Sequence, residues 1–497
     1  MTHRADALEN PMTAALSAVP DAARSSAPAA VRMGRRETLR FFRRVAGVDP
    51  LPALAGIRGG NALAEVRAPG SSVYIVRHPA HARHVLVTHQ DAYVKGVDYR
   101  ILGIVLGNGL LTNRDQESWQ RNRSLVQPLF ARRHLGPMTG HMVGAASDWL
   151  DALDHTVRDG EVIDANTAMM ALTLDVVGRA LFGKGITGET TSVVGDAITD
   201  LLKAAGAFYD IAPFARAIDA RTTVEFQDVM RVRWRHYARV EARKEQLDAI
   251  VHGLIDARLS SGPLPDGDDL LSLLLSARDE RGDDGMDRMQ VRDEVMTFLG
   301  AGHETTANAL SWTWMLLSQY PEARRRMEAE VDEVLGGREP TFDDVDRLPW
   351  TNAVLQESLR LYPVAPVMSR VAARDDDLDG APIRKGGVMI IAPYLLHRDP
   401  EFWVNPEGFD PERFLPGAGH GSRPRQSYMP FGAGRRICVG QGFALVESVL
   451  LTAMTAQRYR FDLAPGFQLR REVAVTMRPR DGLPMAVRRR TDAPALV

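Results

Sequence analysis

Cysteine is almost absent from this chain: among 497 residues there is one, Cys438. A single sulfur excludes an internal disulfide, a four-thiolate zinc site and an iron–sulfur cluster held by protein thiolates. Long apolar runs are missing as well. No stretch approaches the ~18 consecutive apolar residues that read as a membrane span, and Ala14 to Val19 is too short for the apolar core of a signal peptide. Asp6, Glu9 and Asp21 speak against a mitochondrial presequence, because such presequences avoid acids. Neither sign of charge dominates: 61 basic residues face 63 acidic ones for a net charge of −2, so no overall field recruits nucleic acid. No internal repeat is found. The chain is therefore expected in the cytoplasm, with no integral membrane anchor and no nucleic-acid partner, and an unpaired cysteine is compatible with that reducing compartment.

A lone sulfur retains three uses. It is an inert core residue, a catalytic nucleophile, or the single axial thiolate of a haem iron. An inert residue has no need of the glycines around this one, in Phe431-Gly-Ala-Gly434-Arg-Arg436-Ile-Cys438-Val-Gly440, which runs into an apolar helical pattern from Gln441 to Gln457. Glycine permits positive φ and close backbone approach to a flat ligand. A loop feeding a helix N-terminus directs amide N–H groups and the positive dipole end at the sulfur, favouring thiolate. Arg436 offers a carboxylate a charge-assisted partner. No histidine stands close to Cys438 in sequence to serve a nucleophile as base.

The loop resembles that of the cytochrome P-450 superfamily, the haem-thiolate monooxygenases, which reads Phe-x-x-Gly-x-Arg-x-Cys-x-Gly, and all five defined positions match. The resemblance implies haem b with Cys438 as axial iron ligand, Phe431 and Gly432 beside it, and Arg436 on a propionate. It extends to Glu357-Ser-Leu-Arg360, where i,i+3 spacing places acid and base on one face of a helix reading 351–361. Alone, such a pair is a surface contact worth at most a few tenths of a kcal/mol. The family couples it to a Pro-x-Arg-Phe segment, matched by Pro411-Glu-Arg413-Phe414. Glu357, Arg360 and Arg413 are thus the expected structural triad, holding the segment that leads to the thiolate.

A long helical pattern from Val291 to Gln319 contains Gly300-Ala301-Gly302-His303-Glu304-Thr305-Thr306. Interior glycines cost about 1 kcal/mol each relative to alanine, so this stretch is bent for a dioxygen groove or packed closely through small residues. The Thr305 hydroxyl can bond a carbonyl one turn back. The resemblance implies Thr305 beside bound dioxygen, Glu304 in proton delivery and Ala301 over the haem face. His303-Glu304 is no zinc-protease motif, since Ala307 stands where its second histidine belongs. Gly417-Ala-Gly419-His-Gly421 lacks the strand and helix of a dinucleotide site.

Four further residues are candidates for haem contact. Trp119-Gln-Arg-Asn-Arg123 places Trp119 and Arg123 one turn apart on an amphipathic stretch, able to reach one object, a propionate in the family. Arg370, beyond Pro363-Val-Ala-Pro366, is another propionate candidate, and His397 of His397-Arg-Asp-Pro400 is expected near the haem edge.

Residues 46–490 read as one catalytic domain, since these motifs must converge on one cofactor, with a flexible N-terminal segment 1–45 and a tail 491–497. The fold class is mainly α with small β-sheets, haem lying between the long central helix and the cysteine loop. Helices are expected over Asp269 to Arg278 and Glu322 to Val334, and strands over Val73 to Val76 and Val388 to Ile391. Only 59 residues follow Cys438, too few for a flavin domain, so a separate ferredoxin or flavodoxin-type donor with its reductase is expected, and Arg423, Arg425 and Arg435 are candidate docking cations. The reaction implied is insertion of one atom of dioxygen into a C–H or C=C bond of a lipophilic substrate, a fatty acid ahead of a sterol or terpenoid. Tyr99, Ile101, Leu102, Ile104, Leu106 and the Val364 to Met368 segment offer pocket walls, some of them ordinary core. The alternatives are a peroxide-driven or isomerising haem-thiolate enzyme, for which an acid–hydroxyl pair is superfluous, and a non-catalytic haem-binding protein.

Overall fold

The structure is a computed structural model describing residues 30–45, 49–57, 63–68, 71–96, 98–183, 193–200, 237–260, 269–278, 285–417 and 423–494. Among the described residues the chain is mainly helical with small sheets. The helices that position the site are α1 (Arg35–Val45), α2 (Asp98–Leu106), α3 (Gln116–Val126), α4 (Arg132–Thr156), α5 (Ala165–Phe182), α6 (Tyr237–Ser260), α7 (Arg288–Gln319), α8 (Pro321–Leu335), α9 (Pro349–Leu361) and α10 (Gln441–Arg458).

The central element is α7. Its first turn is capped by Asp287, whose carboxylate accepts the Gln290 N–H at 2.8 Å, and Pro321 beyond its end opens α8. From Val291 to Leu317 every residue is buried except Ala301, Gly302 and Thr305. A helix apolar all round must be surrounded, and α5, α9 and α10 pack against it. The two glycines serve this packing. A Cβ added at Gly302 would lie 3.0 Å from Val177 of α5, and one at Gly300 3.1 Å from Leu106 of α2. Close helix approach therefore accounts for both, and alanine at either would push the neighbouring side chain aside by a few tenths of an ångström.

The largest sheet has six strands in the order β1 (Val31–Arg32), β2 (Ala64–Ala68), β3 (Ser71–Val76), β9 (Val388–Ile391), β6 (Met368–Ala372) and β4 (Tyr93–Val94). Strands β3 and β9 are parallel, with Val73 opposite Val388. A hairpin of β7 (Asp376–Leu378) and β8 (Ala381–Ile383) follows β6. The other sheets are β10 (Tyr459–Leu463) with β13 (Pro484–Arg489) and β5 (Glu161–Asp164), and the pair β11 (Arg471–Val473) and β12 (Met477–Pro479).

Within the expected N-terminal segment 1–45, β1 pairs with β2, Val31 opposite Ala64, and α1 buries Phe41 in the main core. Residues 1–29 lie outside the described residues. At the other end Asp492, in the expected tail, accepts a hydrogen bond from Arg460 at 2.8 Å. No helix among the described residues is long and apolar enough to cross a membrane.

Candidate active site

The cysteine loop closes on itself before it meets any other element. The Cys438 N–H donates to the Phe431 carbonyl at 3.0 Å, and the turn between them uses Gly432 and Gly434 at φ of +79° and +72°. These are left-handed conformations that glycine adopts without strain. At Gly434 there is a second constraint, because an added Cβ would collide with the Leu86 carbonyl oxygen. The loop is pinned to that neighbouring turn by the Arg435 N–H, which donates to Gln90 Oε1 at 2.9 Å. Cys438 then stands just before α10, deep in the protein yet with its side chain exposed. Burial pushes its thiol up, while a hydrogen bond from the Gly440 amide and the charge of Arg123 pull it down.

Cations ring the loop. On α3, Trp119 and Arg123 both reach it: the Arg436 guanidinium lies 4.2 Å from the Trp119 ring centroid, and Arg123 donates to the Ile437 carbonyl at 2.9 Å. Their common object is thus the loop itself. Arg436 also donates to the Asn113 carbonyl at 2.9 Å. Arg370 on β6 is buried and bonds to Tyr99 and to the Ser369 carbonyl. Among the described residues none of Arg123, Arg370 and Arg436 has a carboxylate within ion-pair distance. Arg436 is held down to about 10 by burial first and by the like charge of Arg370 second.

Sequence reading missed a further cation beside them. Buried Lys95 donates to the Leu110 carbonyl at 3.1 Å, and burial together with Arg436 and Arg370 pushes its amine well down. A signal existed: it is one of only five lysines among 61 basic residues.

Opposite the loop lies the α7 face that remains half-buried, Ala301, Gly302 and Thr305. Phe130 links the two sides. Its ring sits edge-on to Phe298 of α7, centroids 5.4 Å apart, and lies 3.9 Å from the position of a Cβ at Gly440. The Thr305 hydroxyl donates to the Ala301 carbonyl at 2.6 Å. Next to it Thr306 donates to Glu447 of α10 at 3.2 Å, so the helix after the cysteine is tied to α7 at this level. Glu304 is fully buried and turned toward β11 and β12: one oxygen accepts from the Thr476 hydroxyl and lies 3.7 Å from the Arg478 guanidinium, and the other has no partner. His303 is buried, which pushes its imidazole down, and its Nδ1 lies 3.0 Å from the Leu299 carbonyl.

The structure brings Glu357, Arg360 and Arg413 together. Arg360 grips Glu357 bidentately at 2.6 and 2.7 Å, Arg413 Nε lies 3.3 Å away, and the Asp410 N–H donates at 2.9 Å. Burial pushes the Glu357 carboxyl up, against the pull of Arg360, the Asp410 amide and Arg413. Arg360 also donates to the carbonyls of His397, Pro406 and Gly408. His397 joins this assembly. Its Nδ1 lies 3.3 Å from the Arg360 carbonyl and its Nε2 accepts the Met429 N–H at 2.9 Å, so both ring nitrogens are used by protein. The imidazole titrates only near 3, through burial and then the charges of Arg360 and Arg398. It connects the triad to the start of the cysteine loop.

Of the expected docking cations, Arg423 is engaged elsewhere, its guanidinium 3.9 Å from the Trp403 ring centroid. Arg425 and Arg435 are exposed, the latter paired with Asp91 at 3.1 Å. Of the expected pocket walls, Ile101, Leu102, Ile104, Leu106 and Val364 are buried core, while Tyr99, Val367 and Met368 are half-buried.

A sequence profile of the cytochrome P450 family matches residues 62–481. The chain belongs to the cytochrome P450 family. Cytochrome P450 132 of Mycobacterium bovis is 38% identical over 454 residues, covering 89% of this chain and 94% of its own. Cyclooctat-9-en-7-ol 5-monooxygenase of Streptomyces melanosporofaciens is 34% identical over 438 residues, 87% of this chain and 88% of its own. Pentalenene oxygenase of Streptomyces avermitilis is 29% identical over 427 residues, 85% and 89%. This P450 is therefore an oxidoreductase of the monooxygenase class, and family membership implies a haem-thiolate cofactor, dioxygen, an organic substrate and a redox partner. The residues present fit that cofactor. One exposed thiol and three guanidiniums without carboxylates are the donor set that an iron porphyrin with two propionates calls for.

Proposed function

We propose that this P450 hydroxylates or epoxidises a lipophilic terpenoid, with Cys438 as axial thiolate of haem b and electrons from a separate ferredoxin or flavodoxin-type donor in the cytoplasm. The observation that carries the reading is the uncompensated ring of Arg123, Arg370 and Arg436 around an exposed thiol. Haem, when bound, supplies the oxidising chemistry, aided by electron donation from the thiolate. The chain supplies the rest. The three guanidiniums hold the propionates, and Trp119 keeps the Arg436 plane in place. The Gly440 amide and the N-terminus of α10 favour the ionised sulfur.

On the other side, Thr305 is fixed by its bond to Ala301 on the half-buried face. Glu304, with one oxygen unpartnered and Thr476 and Arg478 behind it, is the group that accepts and passes a proton toward that face. His397 positions the loop. For the substrate, the relatives named for pentalenene and cyclooctat-9-en-7-ol favour terpenoid over the fatty acid expected first. Half-buried Tyr99, Val367 and Met368 are the walls assigned to it.

The deciding experiment is the absorption spectrum of the reduced, carbon-monoxide-bound protein. A strongly red-shifted main band is expected, lost on Cys438→Ser. An unshifted band in the unmodified protein sinks the thiolate assignment. A spin-shift titration across cyclic terpenoids and fatty acids checks the substrate, with the terpenoids expected to respond at lower concentration.

A further inference from the structure

We propose that His84, His89 and Asp376 form a binding site for a borderline divalent cation of the zinc class, on the turn that supports the cysteine loop. One ligand atom from each lies within 4.8 Å of the others. The site rests on the backbone first. Residues His84–Thr88 form a single π-helical turn, closed by the His89 N–H donating to the His84 carbonyl at 2.8 Å. Such turns are rare and cluster at functional positions. In an α-helix residues five apart point in different directions, whereas here the wider turn stacks the two imidazoles, centroids 3.9 Å apart and planes 18° apart.

The third group comes from β7, nearly three hundred residues away, and is held ready. Asp376 Oδ2 lies 2.8 Å from His84 Nε2 and accepts the Tyr93 hydroxyl at 2.7 Å, while Oδ1 accepts the Asp377 N–H at 2.9 Å. A carboxylate fixed from behind by a hydroxyl and an amide, with an imidazole beside it, is the arrangement that orients metal ligands. His89 is exposed, and its Nδ1 lies 3.2 Å from the Thr88 hydroxyl, leaving Nε2 without a protein partner of its own among the described residues. Two imidazoles and one carboxylate suit zinc, with cobalt and nickel as weaker competitors, and partial exposure provides water as a fourth ligand. Calcium and magnesium, which need more oxygens, do not fit.

The position gives the site a consequence. The same turn carries the Leu86 carbonyl against Gly434, and Gln90 just beyond it receives the Arg435 N–H. A cation bridging this turn to β7 clamps the platform on which the cysteine loop rests.

The test is calorimetric titration of the haem-loaded full chain with zinc chloride, so that Cys438 is not a competing ligand. One saturable equivalent at micromolar zinc is expected. His89→Ala and Asp376→Asn should each weaken it by about 10-fold or more, and Tyr93→Phe, which only orients the carboxylate, by about 10-fold. Exposed His155, replaced by Ala, serves as control and should change nothing. Zinc should raise the unfolding temperature of the unmodified protein but not of His89→Ala. No saturable binding at micromolar zinc, or binding undiminished in His89→Ala, overturns the site. Since His89 is exposed, that variant decides the matter even if Asp376→Asn folds poorly.

Discussion

Glu357 and Cys438 each sit at the centre of a group of arginines, and the two groups differ in whether their charges cancel. Around Glu357, two guanidiniums and a backbone amide converge on one carboxylate, all of it buried, and Arg360 spends its remaining donors on three carbonyls. Around Cys438, three guanidiniums gather with no carboxylate within ion-pair distance among the described residues, and Arg370 and Arg436 repel each other. The first cluster is complete as the chain folds. On the proposed function, the second is complete only with a dianion from outside the chain. The same residue type thus serves architecture in one place and ligand capture in the other, and the presence of a protein carboxylate distinguishes the two.

Removing that carboxylate is the strongest way to erase the difference. Glu357→Gln leaves buried Arg360 without a counter-charge and Arg413 with only the more exposed Asp410, and a loss of about 3–5 kcal/mol in unfolding free energy is expected, with haem content falling alongside. Urea denaturation measures the first and the Soret absorbance the second. Another buried carboxylate, Glu447, sharpens the comparison because it has the Thr306 hydroxyl and, among the described residues, no cation within ion-pair distance. Burial raises it to about 8, against that hydrogen bond. The folded chain then holds a proton that the unfolded chain releases above the ordinary carboxylate range. Its contribution to stability accordingly falls as pH rises from there through about 8, by at most about 1.4 kcal/mol per unit. Glu447→Gln should remove that slope, seen as a growing stability advantage over the unmodified protein toward pH 8.

Smaller effects probe the open cluster. Gly434→Ala forces a side chain into a left-handed conformation and against Leu86, at a cost of about 1–3 kcal/mol. Haem retention should suffer while the Glu357 region stays intact, which hydrogen exchange of the Asp410 amide would report. Thr305→Ala should hardly move stability, by less than about 0.5 kcal/mol at this half-buried position. Its effect belongs to chemistry: product formed per electron consumed should drop several-fold. Unchanged coupling would favour a peroxide-driven route.

Local pattern made the elements legible. The strand Val388–Ile391 matches its expected bounds, and α7, α8, α9 and α10 end within a few residues of theirs. Glu357, Arg360 and Arg413 were legible because the helix spacing and the Pro-x-Arg-Phe segment both survive as short strings. What was not legible depends on contacts between distant segments. Nothing in His397-Arg-Asp-Pro400 says that both imidazole nitrogens are consumed by Arg360 and Met429. Gly300 and Gly302 read equally as a groove or a contact until Leu106 and Val177 are placed against them. Phe130 and Glu447 carry no motif, yet each joins α7 to the region of the thiol. In α1 the many arginines hide the apolar side that buries Phe41.

The pairing of Val73 with Val388 has a consequence for the birth of the molecule. At about 5–20 residues per second on the ribosome, β3 emerges well before its partner exists and waits for it with one edge bare. The early third of the polypeptide then depends on holding factors, or on its own slow collapse, until the late third arrives. Nascent chains halted before residue 388 should be far easier prey for proteases than those released just after it.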